Sequence, residues 1–287
     1  MYSEYSYGQH DLNKLPPRKD ESNKGDYGRL LCVCGSQGMC GAAYLSAKAA
    51  YRTGAGLVRI LTAKENIIPL QTSLPEAIVT TYDQDAPDMD IVEEAVAWAD
   101  AIVIGCGLGR SHSAQKILST VIKLSDARMV VDADGLNIIS AHPSLKKYLR
   151  NKIITPHALE MSRLTGMAPD TVAESAVSIA LEFTRSTGAV CVLKRHNTVV
   201  ADGSDKVYIN QSGNNGMATA GSGDVLAGII GGILAQNKSG KLSQKEAAAL
   251  GVYIHGLAGD VAAERVGKYS LMASDIIDSI SDVLNAL

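Results

Sequence analysis

Short apolar runs alternate with longer segments of helical spacing along most of this chain, and that alternation limits its possible folds more than any other feature. Two apolar runs with the length of buried strands are Arg29–Val33 and Ala101–Ile104. Each is followed by small turn residues and then by a segment whose apolar residues recur every three or four positions. Strands that alternate with helices in this way predict parallel crossover units and a sheet covered by helices on both faces.

The same patterns place the individual elements. Strands are predicted at 29–33, 57–61, 77–81, 101–104, 129–131, 153–154, 190–193, 198–201 and 206–209, and helices at 41–53, 91–98, 114–124, 174–184, 224–236 and 244–264. Asp202-Gly203 between the last two strands is typical of a hairpin turn. Residues up to about Gly28 are predicted to be irregular. No change in composition marks an internal boundary, so we expect one domain at 25–287 behind an N-terminal arm at 1–24.

Composition and charge exclude several classes of protein. The chain has 287 residues, of which 46% are hydrophobic and 20% charged, and this balance excludes wholesale disorder. A formal net charge of −3 leaves no basic surplus for a phosphate backbone, so we expect no nucleic-acid partner. No apolar stretch is long enough to cross a membrane, and the polar N-terminus is unlike a secretory signal. The five cysteines lack zinc-binding spacing and are expected to be reduced packing thiols in a cytoplasmic protein.

The strongest local signal is a run of small residues, from Asn214 to Gly228, that leads into a helical segment. Free backbone N–H groups at a helix start, together with the positive end of the helix dipole, make an anion site. Gly221 and Gly223 would let a phosphate approach that backbone closely. Asp224 follows directly. It is interpreted either as a base beside the anion or as a first-turn acid that the helix dipole favours, and the residues leave both readings open.

A second candidate position follows the short strand at 153–154. Thr155 is predicted to cap a helix there, and Pro156 suits the first helical position. His157 and Glu160 are three residues apart and would share one face of that helix. The pair indicates either a capped helix start or a substrate contact beside a hydrated Mg²⁺.

Further strand ends and one helix carry polar residues or glycines. Gly105-Cys106-Gly107-Leu108-Gly109 is similar to a dinucleotide fingerprint, but its last glycine is missing. Asp132 and Asp134 would share one face if the strand continues, for either ligand binding or turn chemistry. Residues 194–198 either supply donors to a nucleotide or form an exposed polar loop. His255 is predicted to be a packing contact within its helix.

Taken in order, these motifs resemble the ADP/ATP-dependent NAD(P)H-hydrate dehydratase family, whose fold is ribokinase-like. The resemblance runs from about Lys24 almost to the C-terminus. It rests on Lys24-Gly25-Asp26-Tyr27-Gly28-Arg29, Gly35-Ser36 with Gly41-Ala42-Ala43, Thr53-Gly54-Ala55-Gly56-Leu57-Val58, Gly107-Leu108-Gly109, Asp132-Ala133-Asp134, Thr155-Pro156-His157, Lys194, Gly216-Met217-Ala218-Thr219 with Gly223-Asp224, and His255-Gly256-Leu257-Ala258-Gly259-Asp260.

The resemblance implies a three-layer α/β/α domain with a central, mostly parallel sheet, and a role in repair of damaged nicotinamide cofactor. The S-epimer of hydrated NADH or NADPH would be dehydrated with Mg²⁺ present and ADP or ATP consumed. The ring hydroxyl would be phosphorylated and phosphate would then leave, because phosphate is a far better leaving group than hydroxide. The resemblance also implies a homotetramer. Only about two dozen residues precede the match, so we expect any NAD(P)H-hydrate epimerase to be a separate partner.

The resemblance also implies roles for individual residues. Asp224 matches the catalytic carboxylate that accepts the hydroxyl proton, and Gly221, Ser222 and Gly223 match the anion hole. The positions that contact the hydrated dinucleotide correspond to Ala42, Gly107, His157 and Asp224, and those that bind the nucleotide to Lys194, Arg195, His196, Asn197, Thr198 and Gly223. Glu160 resembles the magnesium-associated acid of the wider superfamily, which acts through water.

Some positions depart from the family pattern, and two other functions stay open. Arg195 and Cys34 replace common glycines and Cys106 replaces a common proline, so local turn geometry is expected to differ. A kinase of the same fold, acting on a vitamin-precursor alcohol, would use the same base and anion hole, but related kinases tend to have Asn where this chain has His157. A non-catalytic nucleotide sensor is the other alternative, and an intact Asp224 argues against it.

Overall fold

A computed structural model describes residues 2–285, and its central element is a single ten-stranded sheet. The strands in chain order are β1 Ser3–Tyr5, β2 Arg29–Val33, β3 Leu57–Ala63, β4 Ile78–Tyr82, β5 Ala101–Ile104, β6 Arg128–Val131, β7 Ile153–Ile154, β8 Val190–Leu193, β9 Val199–Ala201 and β10 Lys206–Ile209. They are arranged β1-β10-β9-β8-β7-β6-β5-β2-β3-β4. Only the β8–β9 and β9–β10 pairs are antiparallel, so the prediction of a mostly parallel sheet is confirmed.

Eleven α-helices of the described residues connect or flank these strands. They are α1 Cys40–Thr53, α2 Ile67–Ser73, α3 Met89–Trp98, α4 His112–Leu124, α5 Asp134–Ala141, α6 Ala158–Thr165, α7 Pro169–Glu174, α8 Ala176–Thr187, α9 Ser222–Gln236, α10 Gln244–Val266 and α11 Ala273–Leu284. No helix among residues 2–285 combines the length and the apolar character needed to cross a membrane.

The helices form a layer on each face of the sheet, and each layer encloses its own core. The alternation of side chains along a strand explains this division: Leu30 and Cys32 of β2 belong to the core with α1, α9, α10 and α11, whereas Leu31 and Val33 belong to the core with α3, α4, α5, α6 and α8. All four side chains are fully buried. The three-layer α/β/α architecture is therefore confirmed.

The order of the strands locates the crevice in which this kind of sheet binds ligands. The chain runs outward from β2 through β3 to β4, and then returns to add β5 on the other side of β2. In open α/β sheets, ligands bind outside the carboxyl ends of the strands at such a reversal. The turns after β2 and β5 should therefore line a site.

Most predicted elements agree with the structure, and the largest differences lie in helices. The predicted helix at 174–184 corresponds to α8, which begins two residues later at Ala176 and is separated from α7 by Ser175. Helices α2, α5, α7 and α11 have no counterpart in the prediction. The hairpin turn at Asp202-Gly203 is confirmed by the antiparallel pairing of β9 and β10.

The first 24 residues, predicted as irregular, contain regular structure that is tied to the sheet. Strand β1 pairs in parallel with β10, and a 3₁₀ helix at Gln9–Lys14 buries Leu12 completely. Tyr7 packs against Tyr208 of β10, with their ring centroids 4.9 Å apart. Pairing of β1 covers the backbone edge of β10, which would otherwise be open to other chains. Treating residues 1–24 as an arm distinct from one domain at 25–287 stays a prediction.

Candidate active site

The turns after β2 and β5 meet at the reversal of strand order. The backbone N–H of Ser36 donates to the carbonyl of Gly107 at 2.6 Å. A methyl group on Gly107 would lie 2.8 Å from Cβ of Ala42, the residue two positions into α1. Gly107 also has φ of +60°, which disfavours a side chain there. Two of the predicted dinucleotide contacts, Ala42 and Gly107, thus form one backbone-lined surface that only small residues permit.

Three charged side chains meet at the carboxyl ends of β6, β7 and β8, and we call Asp132, Glu160 and Lys194 the strand-end ion cluster. Lys194 Nζ lies 2.8 Å from Asp132 Oδ1 and 3.8 Å from Glu160 Oε2. Both carboxylates are almost fully buried. Burial opposes the charge on Lys194, but Asp132 and then Glu160 outweigh that effect, and the pKa of Lys194 is raised. The ammonium is therefore firmly charged.

The N-terminus of α9 faces this cluster. A methyl group on Gly223 would lie 3.4 Å from Lys194 Nζ and 3.8 Å from Asp132 Oδ2. Gly221 precedes the helix with φ of +87°, a left-handed conformation in which a side chain would also meet Leu45. The first-turn N–H groups have no partner within the helix. Backbone donors, the helix dipole and an ammonium thus converge at one point, an arrangement suited to a phosphoryl group.

Asp224, in the first turn of α9, has the pKa of a group that can exchange a proton near neutral pH. Burial raises the pKa of Asp224 to about 6, and the nearby carboxylate of Asp132 adds to the rise. A hydrogen bond with the thiol of Cys106 and the charge of Lys194 oppose it. A general base works best when its pKa lies near the operating pH. The raised pKa suits the base interpretation of Asp224, which stays a prediction.

The structure corrects the predicted start of the helix after β7. The helix α6 begins at Ala158, and His157 rather than Thr155 is its cap, so Pro156 lies outside the helix. His157 Nδ1 accepts from the Glu160 N–H at 3.2 Å, and the Glu160 carboxylate accepts from the His157 N–H at 2.8 Å. The reason is that residue 157 continues the sheet as an isolated parallel bridge to Lys194. The next position where the chain can turn into a helix is 158.

Asp132 and Asp134 were predicted to share one face if the strand continued, and the strand does not continue. Strand β6 ends at Val131, and Ala133 has φ of +47°, so the backbone turns sharply between the two acids. Asp132 points to Lys194, whereas Asp134 begins α5 and accepts from the Gly109 N–H at 2.9 Å. The structure thus separates their roles: Asp132 is an ion-pair partner, and Asp134 fixes the glycine turn after β5.

Residues 194–198 form the loop of the β8–β9 hairpin, and only its first residue lies at the ion cluster. Arg195 and His196 are exposed, and the Arg195 guanidinium donates to the carbonyl of Ala173 in α7 at 3.1 Å. Thr198 is buried and closes the loop with a hydrogen bond to the Arg195 carbonyl at 2.9 Å. Within residues 2–285, Ala133 and Asn151 are the only non-glycine residues with positive φ. Arg195, Cys34 and Cys106 therefore adopt ordinary backbone conformations in place of the family residues.

Two residues of the site were not assigned to it by the sequence. Cys106 is predicted to be a packing thiol, and it is fully buried, but it also lowers the pKa of Asp224 and of Cys34. Its place in the turn after β5 was a signal that it lies near the site. His255 was predicted to be a packing contact, but its Nε2 lies 3.3 Å from the hydroxyl of Ser222. All five cysteines are free, as expected.

Few side chains at the strand-end ion cluster could bind a metal ion. In the described part of the chain, no set of three or more His, Cys, Asp and Glu side chains could hold a metal ion. Mg²⁺, however, commonly binds through one or two carboxylates, waters and substrate phosphates. Asp132 and Glu160 are hard oxygen donors beside the anion site, so the residues present fit a magnesium ion that arrives with a nucleotide.

Comparison with known proteins identifies the family. The model of the NAD(P)H-hydrate dehydratase family matches residues 30–282. The bifunctional NAD(P)H-hydrate repair enzyme Nnr of Escherichia coli is 41% identical over 271 residues, which is 94% of this chain and 50% of that protein. The chain thus spans about half the length of such bifunctional relatives. The ADP-dependent (S)-NAD(P)H-hydrate dehydratase of Neisseria meningitidis is 38% identical over 265 residues, with coverage of 90% and 86%.

Solved structures agree with the sequence comparison. A ribokinase-like superfamily protein from Enterococcus faecalis superposes with a TM-score of 0.86 at 29% identity, covering 99% of this chain and 96% of that one. The ADP/ATP-dependent NAD(P)H-hydrate dehydratase of Bacillus subtilis, co-crystallised with ATP and Mg²⁺, gives 0.82 at 27% identity with 98% of each chain covered. The fold is therefore ribokinase-like, and the chain belongs to the NAD(P)H-hydrate dehydratase family.

Proposed function

We propose that this protein converts the S-epimer of hydrated NADH or NADPH back to the reduced cofactor, with ADP or ATP as phosphoryl donor. The enzyme would be a hydro-lyase. The observation that carries the proposal is the placement of Asp224, with a pKa of about 6, in the first turn of α9 beside Lys194. A base and a phosphoryl-binding helix start at the same point suit the transfer of a phosphoryl group to a hydroxyl.

The residues around that point divide into two binding surfaces. The hydrated dinucleotide would lie along Ala42, Gly107 and His157, which follow β2, β5 and β7 at the edge of the sheet. The nucleotide would lie along the β8–β9 loop, from Lys194 through Arg195, His196 and Asn197 to Thr198, and reach Gly223. Lys194 lies between the two surfaces, because its ammonium faces Gly223 and its backbone N–H bonds to the Pro156 carbonyl at 2.8 Å.

The reaction would proceed in two steps. Asp224 accepts the proton of the ring hydroxyl while the hydroxyl oxygen attacks the terminal phosphorus of the nucleotide. Backbone N–H groups at Gly221, Ser222 and Gly223 stabilise the charge on the transferring group. The carbon–oxygen bond then breaks, phosphate leaves with the bonding electrons, and the neighbouring ring carbon loses a proton to restore the double bond.

Magnesium would neutralise charge on the nucleotide phosphates, and Glu160 and Asp132 are the residues that would hold it through bridging water. Burial raises the pKa of Glu160, and the charge of Lys194 opposes that rise. The Lys194 ammonium therefore stabilises the ionised form of Glu160.

The proposal is tested by measuring whether the protein restores reduced nicotinamide from its hydrated form. Hydrated NADH incubated with the protein, Mg²⁺ and ADP should regain the absorbance of reduced nicotinamide, and ATP and hydrated NADPH should be tested in parallel. Asp224→Asn should lower kcat by about 10²- to 10⁴-fold, the usual contribution of a general base. The matched control is Asp205→Asn, which changes an exposed carboxylate paired with Arg185 at the β9–β10 hairpin. It should leave turnover unchanged.

Three outcomes would contradict the proposal or a part of it. No recovery of absorbance with either nucleotide excludes the dehydratase. A stable phosphorylated product, formed without loss of phosphate from an alcohol, would instead indicate a kinase with the same base and anion hole. Unchanged turnover in Asp224→Asn would remove Asp224 from the base role.

We also propose a homotetramer in the cytoplasm that acts together with an NAD(P)H-hydrate epimerase. Five free cysteines, four of them buried, support a reducing compartment. The bifunctional relatives support the pairing with the epimerase, because their repair enzymes are twice as long as the matched segment. Light scattering of the purified protein tests the tetramer directly.

A further inference from the structure

A hydrogen bond links the anion hole to a histidine of the neighbouring helix. Ser222 Oγ lies 3.3 Å from Nε2 of His255, a residue 33 positions later in the middle of α10. Ser222 is the first residue of α9 and is only 9% exposed, so its hydroxyl has few partners to choose from. Helices α9 and α10 pack directly against each other over the core.

We propose that His255 is a positioning residue for the anion hole, whose Nε2–H donates to the Ser222 oxygen and leaves the Ser222 hydroxyl proton free for the transferring phosphoryl group. The inference rests on the proposed function, because it assigns a task within the same phosphoryl transfer. A hydroxyl offers one donor and two acceptor positions. A donor on the histidine therefore complements it, whereas an acceptor there would consume the only proton that Ser222 can offer to an anion.

The surroundings of His255 favour a neutral ring with its proton on the nitrogen that faces Ser222. Burial lowers the pKa of His255 to about 4, and the Lys194 ammonium lowers it further. The Ser222 backbone opposes this shift without reversing it, so the ring is neutral at pH 7 and carries one proton. A proton on Nε2 gives the Ser222 oxygen, 3.3 Å away, a donor.

His255 fixes the orientation of a hydroxyl group that is otherwise free to rotate. The hydroxyl rotor of Ser222 has no other fixed partner among the hydrogen bonds of the described residues. Without a donor to its oxygen, it can rotate to hydrogen-bond within the first turn of α9 instead of toward the ligand. A preorganised donor aimed at developing charge is worth more than one that must reorient.

The position of the proton on the His255 ring can be measured by NMR spectroscopy, without any measurement of enzyme turnover. Protein with ¹⁵N-labelled histidine at pH 7 should show His255 Nε2 protonated and Nδ1 unprotonated in long-range ¹H–¹⁵N correlation spectra. The chain has six histidines, and the His255 signals are assigned by their loss in His255→Gln. An unprotonated Nε2, or a doubly protonated ring, would overturn the inference whether or not the protein proves to be a dehydratase.

Kinetics of paired variants test the action through Ser222. His255→Leu removes the donor at similar volume and should lower kcat about tenfold with little change in KM, less than the 10²- to 10³-fold effect of losing an anion-hole donor outright. His255→Gln keeps an N–H donor and should retain more of the parent kcat. In a Ser222→Ala background, His255→Leu should have no further effect.

The outcomes separate the two proposals. If His255→Leu lowers kcat by the same factor with and without Ser222, the histidine acts by some other route and the inference fails. If Gln and Leu are equally impaired while both fold normally, the donor is not what matters. If the parent protein shows no dehydratase activity, the proposed function fails, and the spectra alone still decide the state of His255.

Discussion

The substitution Asp224→Asn should stabilise the folded protein while it lowers the kcat of the proposed reaction. The folded state raises the pKa of Asp224 from 3.8 to about 6, chiefly because the carboxyl is buried, so the folded protein holds this proton more tightly than the unfolded chain. The ionised carboxylate consequently destabilises the fold. A raised pKa of this size corresponds to about 3 kcal/mol once the pH exceeds both values. Asparagine has almost the same shape and carries no charge, so it should recover much of that free energy.

The sign of the effect fixes its pH dependence. Below about pH 4, the carboxyl is protonated in both states and the variant should gain nothing. The gain in the free energy of unfolding of the variant over the parent should grow as the pH rises. It should be complete above about pH 6, where the parent must ionise Asp224 in the folded state. This gain is measured by urea unfolding of the parent and the variant at pH 4.5 and at pH 7.5, with the results expressed as free energies of unfolding.

A matched control uses an acid with the opposite environment. Asp260 in α10 accepts from the Gly213 N–H at 2.8 Å and from the Asn214 amide at 2.9 Å. Asp260→Asn should cost about 1–3 kcal/mol at pH 7.5 because it impairs hydrogen bonds to a charged acceptor. If Asp224→Asn is no more stable than the parent at pH 7.5, or its advantage persists unchanged at pH 4.5, the argument from burial is refuted.

Three further predictions follow from the same site. The kcat of the parent enzyme should rise with pH through an apparent pKa of about 6, because Asp224 must be ionised to act as the base. A kcat that does not change from pH 5 to pH 7 would exclude Asp224 as the titrating group. Lys194→Met leaves Asp132 and Glu160 buried without their cation, so the free energy of unfolding at pH 7 should fall by about 3–5 kcal/mol. A parent-like free energy of unfolding in urea would contradict the ion cluster. Gly221→Ala places a methyl group 2.4 Å from Leu45 Cδ1 on a residue whose φ is +87°. Thermal unfolding should show that the free energy of unfolding falls by about 1–3 kcal/mol. A parent-like melting temperature would show that the turn tolerates a side chain.

Most of the sheet was predictable from the sequence because its central strands are buried on both faces. Strands β5, β8 and β10 have the predicted bounds, since a short apolar run between turn residues leaves few alternatives. Strand β1 could not be found in this way. Its residues Ser3–Tyr5 are mostly exposed and carry no apolar run, and they form a strand only because β10 offers an open edge.

The parts of the site that depend on distant residues were not predictable. Lys194 and Asp132 are 62 positions apart, and nothing in either segment indicates that they pair. The start of α6 was misplaced because Thr155-Pro156 has the residues of a helix start, whereas pairing of residue 157 with the sheet overrides that local preference. The turn at Asp132-Ala133-Asp134 was not predicted because alanine rarely adopts positive φ. The three residues include no glycine or asparagine that would have indicated a turn.

The fate of the ring oxygen tests the proposed reaction most directly. Hydrated NADH prepared in H₂¹⁸O carries the label in its ring hydroxyl. If Asp224 and the anion hole transfer a phosphoryl group to that oxygen before the carbon–oxygen bond breaks, mass spectrometry should find one ¹⁸O in each inorganic phosphate released and one reduced cofactor formed with it. Unlabelled phosphate, with the ¹⁸O recovered in water, would contradict phosphorylation of the hydroxyl and with it the role assigned to this site.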